Sequence, residues 1–348
     1  MSSGLSAVDL FCGAGGLSHG FLHEGITINA GIDLDPTCRF PFTLNNLSEF
    51  IESDISDISS AQISSLYPKG DIKILAGCAP CQPFSTYKQR KGGPQDKRWD
   101  LLYRFAELIE GCLPEIVTME NVPRVVKHGV FLDFLRCLHT CKYHVTYDIV
   151  ESCKYGVPQS RNRVVLLASR MGPIDLGSGI EDSSLWPTVR STIGCLPMLN
   201  GGTCDPDDRL HTAQRLTEIN LRRIRASKPG GTWRDWPSEL RSPCHQKATG
   251  NNYVSVYGRM EWDKPAPTIT TQFNNYGSGR FGHPEQDRAI SLREAAMLQS
   301  FPREYQFVQE DDPVSIRTLA KLIGNAVPVT LGSAIAKSIK NHVSAIPA

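Results

Sequence analysis

Strand-like and helix-like stretches alternate along the first 170 residues, and this alternation constrains the fold more than any other feature of the sequence. Short apolar runs at residues 6–11, 27–35, 71–77 and 115–121 predict strands, and stretches such as 101–112 have helical spacing. Strands that alternate with helices of this size predict an α/β fold with a doubly wound, mostly parallel sheet. In such a sheet, ligands bind at the carboxyl ends of the strands.

The alternation stops near residue 170, where glycine, proline, serine and aspartate become frequent. This change in composition predicts a second, smaller and loop-rich domain. We expect a first domain at residues 1–180, the smaller domain at 181–302, and a C-terminal segment at 303–348 that returns to the first domain.

The composition excludes some classes of protein. No run of about eighteen apolar residues suggests a membrane span, and the N-terminus lacks the features of a signal peptide. The eleven cysteines are scattered rather than arranged as a disulfide framework, which favours a reducing compartment. We therefore expect a cytoplasmic protein with no membrane partner and no bound metal.

Basic residues are concentrated between Arg209 and Arg259, where ten of them stand against three acids, a local charge of +7. Aromatic residues such as Trp233 and Tyr253 lie between them. A basic field with interleaved aromatic side chains is what binding to a phosphate backbone needs. A solvated surface helix is the alternative interpretation.

A glycine turn follows the first strand, in the segment DLFCGAGG at residues 9–16. Gly13, Gly15 and Gly16 allow the backbone to approach a ligand closely, and the next helix begins there. A plain tight turn is the alternative.

Two acids extend this candidate site. Asp33 ends the second strand, where a carboxylate can accept hydrogen bonds from ribose hydroxyls. Asp54 is placed to contact an adenine amino group, and its alternative role is to cap a helix or turn.

Cys81 lies in the segment GCAPCQPFS, directly after a predicted strand and between Pro80 and Pro83. The prolines stiffen the loop that presents the thiol, and a thiolate at a strand end can act as a nucleophile. Cys78 and Cys81 also form a C-x-x-C pair, which leaves redox, zinc-binding and buried structural roles open.

Glu120 ends the strand EIVTM, so it shares the rim of the predicted sheet with Cys81. An acid and a thiol in one pocket can divide protonation and nucleophilic attack. Arg161 and Arg163 alternate along a later strand and can hold an anion or a base carbonyl oxygen. A solvated acid and a surface salt-bridge stripe are the alternatives.

Taken together, these segments resemble the cytosine-C5 DNA methyltransferase family, in the family's usual order. The match covers about two thirds of the chain and includes the Pro-Cys loop, ENV at residues 120–122, QSRNR at 159–163, LREAAMLQSFP at 292–302 and GNAVP at 324–328. The resemblance implies a Rossmann-like methyltransferase fold, S-adenosylmethionine as cofactor and S-adenosylhomocysteine as product. The middle section then corresponds to the target-recognition region, and residues 1–180 to the catalytic and cofactor-binding domain.

The resemblance also implies roles for single residues. Asp33 stands where the family usually has glutamate on the ribose, and Phe11 is expected to pack on the adenine. The positions implied to bind the cofactor are Phe11, Gly13, Ala14, Gly15, Gly16, Asp33, Leu34, Asp54, Ile55, Pro80, Leu101, Asn325 and Val327.

In the implied reaction, Cys81 adds to carbon 6 of a flipped-out cytosine while Glu120 acts at ring nitrogen 3, and the methyl group goes to carbon 5. Arg163 orients Cys81 and the base oxygen, with Arg161 alongside. We expect duplex DNA to be contacted by a basic loop and by two arginines of the middle section, namely Ser85, Lys88, Gln89, Arg90, Lys91, Arg234 and Arg259.

Two alternative functions remain open. One is an RNA methyltransferase of the same family, and the other is a catalytically silent DNA-binding protein or a nucleotide-binding oxidoreductase. The recognition sequence is not readable, because it depends on which side chains reach base edges. We expect a monomeric, stand-alone enzyme, with a cognate restriction endonuclease as a candidate partner in the same system.

Overall fold

The structure is a computed structural model that describes residues 4–80, 100–247, 250 and 252–346. The chain divides into two compact units: the first unit comprises residues 1–155, 162–181 and 327–348, and the second unit comprises 156–161 and 182–326. The chain returns to the first unit at residue 327, later than the predicted 303. The reason is that the helix of residues 316–325 packs against the helix of residues 292–298 within the second unit.

The predicted α/β fold is confirmed. The strands are β1 (Leu5–Leu10), β2 (Thr27–Asp33), β3 (Glu49–Glu52), β4 (Ile72–Gly77), β5 (Ile116–Asn121), β6 (His144–Glu151), β7 (Gln159–Ser160), β8 (Asn162–Ser169) and β9 (Ala266–Pro267). Seven of them form the sheet of the first unit, in the order β3-β2-β1-β4-β5-β8-β6. All neighbours pair in parallel except that β8 is antiparallel to both β5 and β6.

Because β1 to β5 are parallel, their carboxyl ends meet at one edge of the sheet, which we call the carboxyl edge. Leu10 pairs with Gly77, and Gly77 pairs with Met119, so these strands end at nearly the same level. The antiparallel β8 brings its amino end to that edge, where Val164 pairs with Asn121. Side chains that follow β1, β2, β4 and β5, or that begin β8, are therefore brought together.

The described residues form the α-helices α1 (Gly16–His23), α2 (Arg39–Asn46), α3 (Ser60–Ser65), α4 (Asp100–Cys112), α5 (Gly129–Thr140), α6 (Val189–Ile193), α7 (Glu218–Arg225), α8 (Leu292–Leu298), α9 (Ile316–Asn325) and α10 (Val329–Ser344). In the first unit, α4 packs against both α3 and α5, and α1 packs on α2 and α10. Alternate residues of the strands, such as Val8 and Leu10 or Val117 and Met119, are buried against the α3–α5 group. This period of two is what one face of a strand presents to a helix layer.

The second unit contains little regular structure but has its own core. Trp233, Trp236, Tyr276 and Ile224 are almost fully buried there. Three of its short 3₁₀ turns are capped by the side chain of the preceding residue, namely Asp182, Thr232 and Asn275. Thr232, for example, accepts a hydrogen bond from the backbone N–H of Arg234. The loop-rich character predicted for this part of the chain is therefore confirmed.

Residues 316–344 are the one stretch of described residues apolar and long enough to cross a membrane, with a mean hydropathy of 1.4 in their most apolar window. The stretch is interrupted between α9 and α10, and 72% of that window is buried within the protein. Burial of this extent is typical of core helices.

Helices α1 and α10 approach each other at glycines. A Cβ atom on Gly20 would lie 2.4 Å from the carbonyl oxygen of Val329 and 2.5 Å from the backbone nitrogen of Ser333. Gly332 faces the same crossing, with its Cβ position 3.4 Å from the Cα of Gly20. No side chain larger than hydrogen fits at Gly20 unless the two helices separate.

We therefore expect Gly20→Ala to lower the free energy of unfolding by about 1–3 kcal/mol, the usual cost of overpacking. The measurement is thermal or denaturant unfolding. Gly129→Ala is the matched control, because a Cβ at Gly129 meets nothing within 4 Å. Equal unfolding midpoints for the two variants would contradict the close helix crossing.

Candidate active site

The turn after β1 contains three residues with left-handed backbone. Phe11, Gly13 and Gly15 have φ angles of 59°, 54° and 88°. Glycine adopts this region freely, but for a bulky residue such as Phe11 it is strained. Strain of this kind persists where the surrounding structure enforces it, and it clusters at functional sites. The glycine turn predicted here is therefore a specifically shaped loop.

The turn presents open space beside a carboxylate. A Cβ built on Gly13 would meet nothing within 4 Å, and the backbone N–H of Gly13 donates to Asp33 Oδ2 at 2.9 Å. The other carboxylate oxygen of Asp33 accepts from the N–H of Asp35 at 2.9 Å. Leu34 is 64% exposed, and Phe11 is half-buried. An open cradle with an oriented acceptor and exposed apolar side chains fits a ligand that carries a nucleoside.

Asp54 does cap a turn, as its alternative role required. Its Oδ1 accepts hydrogen bonds from the backbone nitrogen and the hydroxyl of Ser56, at 2.9 and 2.5 Å. The same two bonds lower the pKa of Asp54, so its carboxylate is ionised at neutral pH. Capping uses Oδ1, so the cap and a contact to a ligand through Oδ2 are compatible. Ile55 is 4% exposed and belongs to the core.

The remaining cofactor positions of the first unit differ in exposure. Ala14 and Gly16 are buried, Leu101 is partly buried on α4 against the core, and Pro80 is exposed. Val327 is 7% exposed. The predicted nucleophile and the predicted basic loop lie outside the described residues, namely Cys81, Ser85, Lys88, Gln89, Arg90 and Lys91.

Asn121, which the sequence reasoning did not single out, fixes the chain just before Cys81. Its side-chain Nδ2 donates to the carbonyl oxygen of Ala79 at 3.1 Å, and its Oδ1 accepts from the N–H of Val122. Asn121 is 2% exposed. The end of β5 thus holds the segment that follows β4. The signal in the sequence was the polar residue at the end of an otherwise apolar strand.

Glu120 and Arg163 form an ion pair at the carboxyl edge. Arg163 Nε lies 2.9 Å from Glu120 Oε1, and the two side chains are 13% and 9% exposed. The N–H of Arg163 does not point at that oxygen well enough for a hydrogen bond, so the contact is mainly electrostatic. A mostly buried ion pair beside a strand end is a suitable place to orient a polar ligand. The carboxylate and the second arginine of the predicted site thus come together.

Arg161 and Asn325 lie in the second unit. Arg161 is 4% exposed and donates to the carbonyl oxygen of Ile269 at 3.1 Å. Its catalytic role remains a prediction. Asn325 is exposed at the end of α9, next to buried Gly324. A Cβ on Gly324 would lie 2.5 Å from the backbone of Thr270, which explains why glycine precedes Asn325.

The two arginines expected to contact DNA differ. Arg234 is exposed, with its guanidinium 5.7 Å from the ring centroid of Trp233. Arg259 is instead 6% exposed. Its guanidinium donates to the carbonyl oxygens of Ile224, Ser227, His283 and Gln286 and pairs with Asp287. The expectation that Arg259 contacts DNA is corrected, because this guanidinium is fully used inside the second unit.

Asp9 is a buried acid in β1 that the sequence reasoning did not assign. It is 2% exposed, its Oδ2 accepts from the hydroxyl of Ser18 at 2.6 Å, and its Oδ1 is buried without a hydrogen bond. Burial, with a smaller contribution from the charge of Asp33, raises the pKa of Asp9 from 3.8 to about 7. The bond from Ser18 opposes this rise.

We expect Arg259→Ala to lower the free energy of unfolding by about 3–5 kcal/mol, because four carbonyl groups and Asp287 lose their shared partner. Arg234→Ala, which removes an exposed guanidinium, is expected to change it by less than about 0.5 kcal/mol. Chemical denaturation of both variants measures the difference. An Arg259→Ala protein as stable as wild type would refute the structural role.

The shifted pKa of Asp9 makes stability depend on pH. The folded protein holds this proton more tightly than the unfolded chain, so the stabilisation is complete below about pH 4 and is lost as the pH rises through 7. The loss approaches about 4 kcal/mol for a shift of three pKa units. We expect Asp9→Asn to lose less stability than wild type between pH 5 and 8, as measured by urea denaturation. Parallel pH profiles for the two proteins would count against a buried, titrating Asp9.

The chain is similar to known proteins over nearly its whole length. Residues 5–341 match the family model of C-5 cytosine-specific DNA methylases. The chain is 51% identical over 346 residues to the Type II methylase M.HgiDII of Herpetosiphon aurantiacus, covering 98% of this chain and 96% of that protein. It is 31% identical to the Type II methyltransferase M.Eco47II of Escherichia coli, covering 96% and 78%.

Solved structures share the fold. Dnmt2 methyltransferase of Schizosaccharomyces pombe superposes with a TM-score of 0.61 at 17% identity, covering 97% of this chain and 99% of that one. A DNA modification methyltransferase encoded by an E. coli prophage gives a TM-score of 0.73 at 20% identity, covering 98% and 99%. With its family match over residues 5–341 and its Glu120–Arg163 pair at the carboxyl edge, the chain belongs to the C-5 cytosine-specific DNA methylases.

Proposed function

We propose that this DNA cytosine-C5 methyltransferase uses S-adenosylmethionine to methylate a cytosine within a short sequence of duplex DNA, and that Glu120 and Arg163 hold the target base. The observation that carries this proposal is their ion pair, 2.9 Å apart at the carboxyl edge. Asn121, the next residue of β5, holds Ala79 in the segment that leads to Cys81. The Glu120–Arg163 pair and the segment that leads to Cys81 are therefore both held at the end of β5.

The chemistry explains why these groups are needed. Carbon 5 of cytosine is a poor nucleophile, and addition of the Cys81 thiolate to carbon 6 pushes electrons toward it. Glu120 holds or supplies a proton at ring nitrogen 3, which takes up the charge that develops there. Arg163, with its fixed planar guanidinium, orients Glu120 and the carbonyl oxygen of the base. Once carbon 5 carries the methyl group, its proton is lost to solvent and the bond between Cys81 and carbon 6 breaks, which releases the thiolate and restores the aromatic ring.

The turn after β1 is proposed to bind the cofactor. Asp33 accepts from the ribose hydroxyls, Phe11 and Leu34 contact the adenine, and Asp54 accepts from its amino group. The cradle at Gly13, where a Cβ would meet no atom, is the feature that fits such a ligand. When bound, S-adenosylmethionine supplies an electrophilic methyl group, and the chain supplies position and electrostatics. The product is S-adenosylhomocysteine.

The DNA contacts are proposed from the positive charge of side chains that could reach the phosphates. A base inside a duplex does not expose carbon 6, so the target must be flipped out at a cost of a few kcal/mol. Arg234, Ser85 and the segment Lys88–Lys91 are proposed to contact phosphates and offset that cost. We further propose a monomeric, cytoplasmic enzyme. A paired restriction endonuclease is proposed because relatives are named a Type II methylase and a Type II methyltransferase.

The test is to incubate the purified protein with S-adenosylmethionine and unmethylated duplex DNA of mixed sequence, and to map 5-methylcytosine at base resolution. We expect the mark within one short motif. Cys81→Ser should abolish it, which ties the reaction to the proposed nucleophile. Methylation of structured RNA without methylation of DNA would overturn the proposal in favour of the RNA alternative.

We expect Glu120→Gln to lower kcat by about 10²–10⁴-fold, the usual contribution of a positioned acid or base. Glu107→Gln is the matched control: Glu107 is 62% exposed and, among the described residues, pairs with Arg104 on the same helix, so the kcat of this variant should stay within about twofold of wild type. Steady-state methylation of one duplex oligonucleotide, at saturating DNA and S-adenosylmethionine, gives kcat for both variants. Equal rates for the two variants would remove Glu120 from the mechanism.

A further inference from the structure

Asp9 is a carboxyl that the proposed reaction does not use, yet it lies directly beneath the cofactor turn. It is in β1, two residues before Phe11, and its bonded partner Ser18 lies in the first turn of α1. The Asp9–Ser18 hydrogen bond therefore closes the ends of the turn that presents Gly13. Asp33 reaches the same turn from β2, through the N–H of Gly13.

Besides the hydroxyl of Ser18, the groups coupled to Asp9 among the described residues are one acid and two thiols. Asp33 ends β2, Cys12 lies in the turn, and Cys78 follows β4. Burial raises the pKa of both thiols, and the nearby charge of Asp9 adds to the rise; at Cys78 the charge of Glu120 contributes more than that of Asp9. Its own oxygen Oδ1 has no hydrogen bond to satisfy a negative charge. A positive charge brought to the turn would therefore stabilise the ionised form of Asp9.

The two cofactor forms differ by one such charge. S-adenosylmethionine carries a sulfonium cation, whereas S-adenosylhomocysteine carries a neutral thioether at the same position. The amino-acid part and the nucleoside are otherwise alike. An acid near the turn therefore interacts differently with the donor and the product only while it is ionised.

We propose that Asp9 is a positioning residue whose negative charge makes the cofactor site prefer the cationic methyl donor over its neutral product. This inference rests on the proposed function, because it requires S-adenosylmethionine as the donor. Asp9 acts through space, since both of its oxygens are buried. The site prefers the donor to the product when Asp9 is ionised, and it loses this preference when Asp9 is protonated. Because the pKa of Asp9 is about 7, the preference changes over the neutral range.

The experiment measures the dissociation constants of S-adenosylmethionine and S-adenosylhomocysteine by titration calorimetry between pH 5.5 and 8.5, with the full chain. For wild type, we expect the product-to-donor ratio of the two constants to rise by about tenfold over this range, equivalent to a difference of one pKa unit between the two complexes. For Asp9→Asn, the ratio is expected to stay near the low-pH value of wild type. Asp148→Asn, an exposed acid on β6, is the control and should behave like wild type.

A second variant keeps the test independent of any folding defect of Asp9→Asn. Ser18→Ala removes the hydrogen bond that lowers the pKa of Asp9, so the midpoint of the ratio is expected to move to higher pH. A merely structural role for Ser18 would weaken both ligands without moving the midpoint. Sinefungin, which carries an ammonium group in place of the sulfonium, should follow the donor in every variant.

The outcomes separate this inference from the function on which it rests. A ratio that does not change with pH in wild type, or that changes equally in Asp9→Asn, overturns the role of Asp9 while leaving the methyltransferase intact. Failure of all three ligands to bind wild type at any pH would instead overturn the proposed cofactor site, and with it this inference.

Discussion

The left-handed backbone of the turn after β1 is the constraint on which the rest of the first unit depends. Gly13 and Gly15 accept this geometry without cost, and Phe11 accepts it under strain. The turn directs the N–H of Gly13 to Asp33 and starts α1 at Gly16. Because α1 then meets α10 at Gly20, the same turn also determines where the C-terminal helix can pack. A distortion of the turn would therefore change both the ligand cradle and a helix contact far along the chain.

The antiparallel strand β8 has a comparable effect on the reacting side of the sheet. In an all-parallel sheet, the strand next to β5 would have its carboxyl end at the carboxyl edge. Here β8 has its amino end there, so Arg163 lies next to Glu120. The acid and the arginine are 43 positions apart in the sequence, and only this strand direction makes them neighbours. The ion pair is thus a product of topology rather than of local sequence.

The sequence predicted the larger elements because they carry a strong periodic signal. The strands β1, β4 and β5 are apolar runs that end at glycine or at polar residues, and α4 and α10 have long helical periods. The short helices α2 and α3 were not predicted, since α2 contains Pro41 and asparagines and α3 has only six residues. Local signals this weak are outweighed by tertiary packing, which the sequence does not display.

The candidate site was predictable in part for the same reason. Glu120 and Asp33 were found because an acid at a strand end is visible in the sequence. Asp9 was not, because its burial and its bond to Ser18 depend on how α1 folds back. The error at Arg259 has another cause: a count of basic residues does not show that Asp287, 28 positions later, neutralises this one inside a core. Charge patterns predict partners well only for side chains that stay exposed.

The short segment 156–161 has a consequence for how such an enzyme could be re-engineered. It belongs to the second unit although the first unit continues after it. Gln159 donates to Gln299, accepts from the N–H of Ile269 and is fully buried, while Gln299 donates onward to Ile323. A chimera that replaces only residues 182–326 would therefore separate Gln159 from its partners. A graft of the second unit from a relative must include both pieces of chain, or retain this pair of glutamines.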